Sequence, residues 1–306
     1  MKTSTKLAFP QGQTAIAQAV DEIARLPETL NELGFKQPHP TLVLIGGASG
    51  LTPNDAEKLQ TLFQDAICPL AEASGWIVID GGTDAGIMGL MGQAYRQMNC
   101  TFSLLGIVVQ NKAILPATEQ GAGADAAQLE PHHTHFLLVP GCQWGDESAW
   151  IAQAATLLAQ HQGSVTLAIN GGEITLKQDI PNSLKHQRPV VVLAGTGRTV
   201  RSSRFSRRRT NPGCGNSAFG GFGFNYLHRL AETTGSSQAS PAKILDALKT
   251  AKIQDVQVLV DTPYPSGGES SFGKKRRNSR HLKQLSKSQC GFCVASLISD
   301  VYSIFT

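Results

Sequence analysis

Two kinds of apolar pattern alternate along residues 1–200. Short uninterrupted runs, "TLVLIGG" from Thr41, "WIVID" from Trp76, residues 103–109, "THFLLVP" ending at Pro140, "SVTLAIN" ending at Asn170 and "PVVVLAGTG" from Pro189, read as buried strands. Between them apolar residues recur every three or four positions, as in residues 52–75, 85–98 and 147–160, which reads as helix. In the first of these segments Thr52 is the expected cap, Pro53 the first helical residue and Gly75 the stop. Residues 13–34 also carry helical spacing, ended by Pro27 and Gly34, and a short helical stretch is expected after Gly171-Gly172.

Strands that are apolar on both faces and alternate with helices belong to a parallel sheet covered on each side. The fold class is therefore α/β: a Rossmann-like, doubly wound, mostly parallel sheet with helices on both faces, spanning residues 1–200. The rhythm then stops. Where a helix is due after Thr199 the chain reads "VRSSRFSRRRTNPGCGNSAFGGFGF", with neither helical spacing nor a strand's apolar content. Residues 242–263 recover a helix and strand rhythm before "GGESSFGKKRRNSRHLKQLSKS" ends it again. Residues 201–306 thus fit either a disordered basic tail or a coding sequence read in a shifted frame. If no helix follows the last strand, one of its faces lies bare.

The net charge of +4 conceals a division along the chain. Residues 201–306 hold 16 Lys and Arg against 6 Asp and Glu, a balance of +10, while residues 1–200 hold 11 against 17, or −6. The basic tail could attract nucleic acid non-specifically, yet a solvated tail explains the same charges, so nucleic acid is not the expected partner. No run approaches the ~20 apolar residues that span a bilayer. "MKTSTKLAFPQGQ" has no apolar signal core, so a cytoplasmic protein is expected. The six cysteines are widely spread, and in that compartment they do not read as a disulfide framework. Cys290 and Cys293, in "CGFC", match a redox pair in spacing only.

Glycines cluster at the carboxyl ends of the strands, the edge at which open parallel sheets bind ligands. They are Gly46, Gly47 and Gly50; Gly81, Gly82 and Gly86; Gly141 and Gly145; and Gly195 and Gly197. Gly81-Gly82-Thr83, with Gly86 opening a helix, suits a phosphate, because glycine lets backbone N–H groups approach and Thr83 adds a hydroxyl. Gly195-Thr196-Gly197-Arg198 adds backbone donors and a guanidinium able to meet two phosphate oxygens. A diphosphate fits this set. "GGASG" lacks the GxGxxG spacing and no P-loop lysine is present, which disfavours an ordinary dehydrogenase or kinase.

Side chains with chemistry sit beside these turns. Asp80 ends a strand where it could take ribose hydroxyls or cap the turn. Trp144 could stack on a base. Asp146, Glu147 and Ser148 fit a first helical turn, and Glu147 could activate water if burial raised its pKa, with Asp146 as the alternate. "EPHHTHF" places Glu130, His132, His133 and His135 before a strand; adjacent histidines share one ion poorly, so a pocket-lining loop is expected and no metal or other cofactor.

Taken in order, "LVLIGGASGL", "IVIDGGTDAGIMGLMG", "HHTHFLLVPGCQWGDESAWI", "SVTLAINGG" and "RPVVVLAGTGRT" resemble the SLOG superfamily, and within it the prokaryotic LSDAT group. That group is related to the cytosolic amino-terminal region of TRPM channels and distantly to the lysine decarboxylase-like LOG proteins. The resemblance implies a domain that binds nucleotide-derived ligands, with ADP-ribose and related NAD products the leading class, as a sensor more often than a catalyst. Gly81, Gly82, Thr83, Gly86 and Met88 match the superfamily's GGTxxGxM-like loop, and Gly195, Thr196 and Gly197 match its last glycine loop. Members that free a base from a nucleoside monophosphate carry PGGxGTxxE. Here Pro140 and Gly141 are followed by "CQWGDES", with no Gly-Thr before Glu147, so binding without turnover is the first expectation and phosphoribohydrolase-like cleavage the alternative. Residues 1–200 and 201–306 are the expected domains, and the sequence is compatible with a homo-oligomer without fixing one.

Overall fold

The computed structural model describes residues 4–116, 125–194, 239–250 and 257–261. Strands β1 (Thr5–Ala8) and β2 (Thr14–Ala19) precede helix α1 (Leu26–Glu32), which leads into β3 (Thr41–Gly46). Next come α2 (Pro53–Leu62), a π-helical turn (Phe63–Ile67), α3 (Cys68–Ser74), β4 (Ile77–Asp80), α4 (Gly86–Gln97) and β5 (Leu104–Val109). Two short strands, β6 (Ala113–Ile114) and β7 (Ala127–Gln128), pair with each other. The chain continues through β8 (His135–Val139), α5 (Ser148–Ala159), β9 (Ser164–Ile169), a second π-helical turn (Thr175–Asp179), α6 (Ile180–Lys185) and β10 (Val190–Ala194). Helix α7 (Pro241–Thr250) and strand β11 (Gln257–Asp261) complete it.

Among the described residues the main sheet has nine strands in the order β1-β2-β8-β5-β4-β3-β9-β10-β11. Every pairing from β2 to β10 is parallel, and β1 and β11 add antiparallel at the two edges. This is the Rossmann-like, doubly wound sheet expected from the apolar runs. In β3, Leu42 and Leu44 face one core while Val43 and Ile45 face the other, the alternation that makes a two-sided strand look uniformly apolar in sequence. Residues of α2, α3 and α4 fill the first core, and residues of α1 and α5 the second. Thr52 caps α2 by accepting the Asp55 N–H, Pro53 opens it, and Gly75 ends α3 with φ of 61°.

Two sequence expectations are corrected. Residues 13–34 are not one helix: Thr14–Ala19 forms β2, and only the second half turns helical. Ala15 and Ala17 are buried on either side of exposed Ile16, the alternation of a strand, and pairing with β1 and β8 overrides the helical leaning of alanine and glutamine. Nor does the last parallel strand lie bare. Ile244, Leu245 and Leu248 of α7 join Val191 and Leu193 in the first core. The rhythm read over residues 242–263 is realised as α7 and β11, so the first compact unit, Met1–Thr262, takes in chain beyond residue 200. Residues 201–238 and 262–306, with the basic runs and the "CGFC" pair, lie outside the described residues.

Candidate functional site

Strand order sets where a ligand can enter. From β3 the chain moves through β4 and β5 on one side, then returns to place β9 and β10 on the other. Loops leaving β3 and β9 therefore diverge, and their carboxyl ends bound the crevice that such sheets offer to ligands.

The glycines of this edge serve first to bring backbone against backbone. A Cβ on Gly46 would lie 1.8 Å from the Ile169 carbonyl oxygen, and one on Gly47 2.6 Å from that of Asn170, to which the Gly47 N–H donates at 2.9 Å. Gly86 has φ of 52°, and its Cβ would lie 2.2 Å from the Gly47 oxygen. That oxygen accepts the Ile87 N–H at 3.4 Å. Asn170, at φ of 49°, also reaches the Ser49 carbonyl through Nδ2 at 3.3 Å. The loops after β3 and β9 and the start of α4 thus share one floor of bare backbone, with Ala48, Ser49 and Gly50 exposed beside it. Ala85 gives α4 no side-chain cap, which leaves the first turn of a twelve-residue helix without a side-chain oxygen at its amides.

Behind the loop from β4 to α4 lies a buried chain of charge. Asp80 is fully buried; its Oδ1 accepts the Gly82 N–H at 2.7 Å and meets His133 Nε2 at 2.8 Å. His133 Nδ1 meets Glu130 Oε2 at 2.8 Å, and Glu130 Oε1 meets His132 Nδ1 at 2.6 Å. Burial pushes His133 towards losing its proton, but the charge and hydrogen bond of Asp80, with those of Glu130, outweigh it and raise the pKa to about 10. Burial likewise opposes ionisation of Glu130, and His133 and His132 reverse it, so its pKa falls below 4.5. Asp80 accordingly faces His133 and the turn, and Thr83, 3% exposed, is held in a bridge to Leu129. Gly81, Ala85 and Gly86 are the half-buried members of this loop, and Asp84 is exposed. Among the described residues no group of three or more His, Cys, Asp or Glu is placed to hold a metal ion.

The loop from β8 to α5 has the opposite electrostatics. Asp146, exposed, accepts the Cys142 and Gln143 N–H groups at 2.8 and 3.0 Å, and these hold its pKa below the usual value. Gly141 makes room for this turn, since its Cβ would lie 2.7 Å from that of Asp146. Glu147 is half-buried and accepts the Gly145 N–H at 2.8 Å. Burial raises its pKa to about 7 against that hydrogen bond, with smaller upward pushes from Asp179 and Asp146. Asp179, at the end of the second π-helical turn, is raised by burial as well, although the Ser148 and Thr175 hydroxyls donate to it. Trp144 packs on the β1, β2 and β8 core and donates Nε1–H to the Asp125 carbonyl at 3.1 Å.

Gly195, Thr196, Gly197 and Arg198 lie outside the described residues. Sequence reasoning missed Asn170, whose place between a strand and Gly171-Gly172 was a signal, and Asp179, for which the sequence holds none. It also missed Gly92, where a Cβ would fall 1.9 Å from the Glu130 carboxyl carbon; the spacing Gly86, Gly89, Gly92 along one helix was its trace. A cleft of 440 Å³ lined by Phe35, His39, Glu72, Thr101 and His135 lies at the amino ends of the strands, the opposite edge from this chemistry.

The fold and its glycine-lined edge define a Rossmann-like domain of the SLOG type. Residues 39–210 match the family described as SLOG in TRPM, prokaryote, and the chain belongs to that family. It is 25% identical over 217 residues to the transient receptor potential cation channel subfamily M member-like 2 of Nematostella vectensis, and 24% identical over 232 residues to subfamily M member 2 of Rattus norvegicus. Those matches cover 59% and 61% of this chain but only 14% and 15% of the channels, so the chain spans about one seventh of these relatives. Among solved structures, the molybdenum cofactor binding protein of Rippkaea orientalis aligns with 18% identity and a TM-score of 0.31, covering 51% of this chain and 76% of that one. The molybdenum cofactor carrier protein MCP of Chlamydomonas reinhardtii aligns with 16% identity and a TM-score of 0.34, covering 50% and 76%. At these scores neither carries an argument about this chain.

Proposed function

We propose that this chain binds a nucleotide-derived diphosphate, such as ADP-ribose or another NAD-related molecule, at the carboxyl edge of the sheet and without turnover. The observation that carries this reading is the shared backbone floor of Gly46-Gly47, Gly86 and Asn170 beneath the start of α4, which has no side-chain cap. Bare backbone and a helix's positive end suit an anion that must come close. Gly81 of the β4 loop would add a backbone donor, and Trp144 of the β8 loop would be the aromatic side chain for a base. Gly195 to Arg198 would complete the phosphate contacts. No helix among the described residues is long and apolar enough to cross a membrane, and the site of action we propose is the cytoplasm. Isothermal titration of the full chain with ADP-ribose, NAD and AMP, with chromatography for freed base or nicotinamide, tests the reading. Saturable heat without products is the expected result, and no heat from a folded sample would overturn it.

One observation favours a second reading. Glu147 sits at the same edge with a pKa of about 7, the range in which a carboxyl group can both give and take a proton. Phosphoribohydrolase-like cleavage of an N-glycosidic bond would use it as the acid or base. Release of free base, abolished in Glu147→Gln with binding retained, would establish this reading in place of the first. Asp146 is committed to two backbone amides and is the weaker choice.

A further inference from the structure

The binding reading leaves one buried cation unused. His133 is 1% exposed, and both of its ring nitrogens face carboxylates, which accept and cannot donate when ionised. Facing two ionised carboxylates, both nitrogens carry protons, and the raised proton affinity of His133 fits an imidazolium held between Asp80 and Glu130. The same two acidic residues hold opposite ends of one residue in the ligand loop. Asp80 Oδ1 takes the Gly82 N–H at 2.7 Å, and the Glu130 N–H donates to the Gly82 carbonyl at 3.0 Å. Gly82 has φ of 66°, and its Cβ would lie 2.8 Å from the Gly106 Cα, so the turn sits against β5 with no room for a side chain. Gly92 of α4 seats the Glu130 carboxylate, tying the same network to the helix whose first turn faces the crevice.

We propose that His133 is a positioning residue for the ligand site: by bridging Asp80 and Glu130 it presets the Gly81–Gly86 turn and the start of α4 before a ligand arrives. This rests on the binding reading for its purpose, but not for its geometry. The titratable groups around the imidazole are Asp80 from β4, Glu130 and His132 from the segment before β8, and Asp84, which lies within the electrostatic reach of Glu130 and His132. The Phe136 ring stacks on it at 5.4 Å and supplies no charge. Removing the imidazole leaves two buried acidic side chains without the cation between them, and the Asp80 grip on the Gly82 N–H loses its brace.

The test uses the full chain with ¹⁵N-glycine and ¹⁵N-histidine labels. In the wild type, both His133 ring nitrogens are expected to carry protons at pH 8, and the Gly82 amide proton to resonate far downfield. In His133→Gln and Asp80→Asn the Gly82 resonance should shift, and affinity for ADP-ribose should fall about tenfold. Leu158→Ala, a truncation in the core on the other face, should lower stability while leaving both readouts in place. Should His133→Gln fail to fold, Asp80→Asn and Glu130→Gln, which keep the imidazole, carry the comparison. An unmoved Gly82 amide, a neutral His133 at pH 8, or an equal loss of binding in Leu158→Ala would overturn the proposal. A wild type that binds no ADP-ribose but whose Gly82 amide moves on substitution sinks the ligand reading and leaves the positioning role standing.

Discussion

Two acidic clusters at one edge of one sheet behave in opposite ways. At the end of β4, Asp80 and Glu130 enclose an imidazolium, and Glu130 stays ionised below its ordinary range although burial opposes it. Between α5 and the second π-helical turn, Glu147 and Asp179 have hydroxyl and amide donors and no ion pair among the described residues, and burial raises both. Residue type is the same and burial opposes ionisation in both, although Asp80 and Glu130 are fully buried and Glu147 and Asp179 half-buried. The deeper pair is the one in which a cation was buried along with the acids. The first cluster is a fixed frame, whereas the second can change its charge near neutral pH, the property expected of a group that meets substrate or senses protons.

The largest effect should come from removing the space that the frame occupies. Ala for Gly in a helix interior usually stabilises by up to about 1 kcal/mol. Gly92→Ala should do the reverse, costing about 3–5 kcal/mol in urea unfolding, because its methyl would displace the Glu130 carboxylate and break the buried ion network. Adding Glu130→Ala should recover part of that loss, since the three atoms nearest the new methyl all belong to that carboxylate. A stabilising Gly92→Ala would mean that the two clusters differ less than the geometry says.

Legibility in the sequence divides along the same line. The strands were legible because β3, β4, β5, β9 and β10 are apolar on both faces, and Thr52-Pro53 and Gly75 marked a helical segment by local chemistry. β2 was not, because its small residues, Ala15, Ala17 and Ala19, carry no β signal until β8 lies beside them. The glycines were legible as close approaches but not as approaches to what: Gly46 and Gly47 meet the β9 end more than a hundred residues away. Asp80 and His133, 53 positions apart, are joined by topology alone. Asp179 becomes part of an acidic pair only after the second π-helical turn packs on the β8 loop.

Next in size is the pH dependence of the frame. The folded pKa of His133 is raised above its ordinary 6.5 to about 10, so its stabilisation is complete below 6.5 and is lost as pH rises through 10. Glu130 is lowered, so its contribution is present above 4.5 and is lost as pH falls through its folded value. The stability difference between wild type and His133→Gln should therefore be about 3 kcal/mol near pH 6 and shrink steadily towards pH 10. A difference flat across that window would show that the imidazole is not charged.

The second cluster predicts a change of the other sign. A carboxyl raised to about 7 binds its proton more tightly folded than unfolded, so it lowers stability progressively as pH rises from 4.5 to 7. Glu147→Gln keeps an oxygen for the Gly145 N–H and removes that charge. It should leave thermal stability unchanged at pH 5 and raise it by about 1 kcal/mol at pH 8, with the partial exposure of Glu147 already discounted. Destabilisation at pH 8 would place a cation beside Glu147 and erase the contrast with Asp80 and Glu130.

The smallest effect separates Asp146 from its neighbour. Its carboxylate accepts two backbone amides on an exposed turn, where water can replace it, so Asp146→Ala should cost only about 0.5–1 kcal/mol by chemical denaturation. Those bonds lower its pKa, so the loss should be full at neutral pH and vanish as the pH drops below the ordinary 3.8. Asp146 is also the weakest of the groups that raise Glu147, and its removal should move the Glu147 titration only slightly below 7 in carboxyl-labelled NMR. A fall to the ordinary 4.5 would instead mean that a neighbouring charge, and not burial, sets the proton affinity of Glu147, and the second cluster would then be as frame-like as the first.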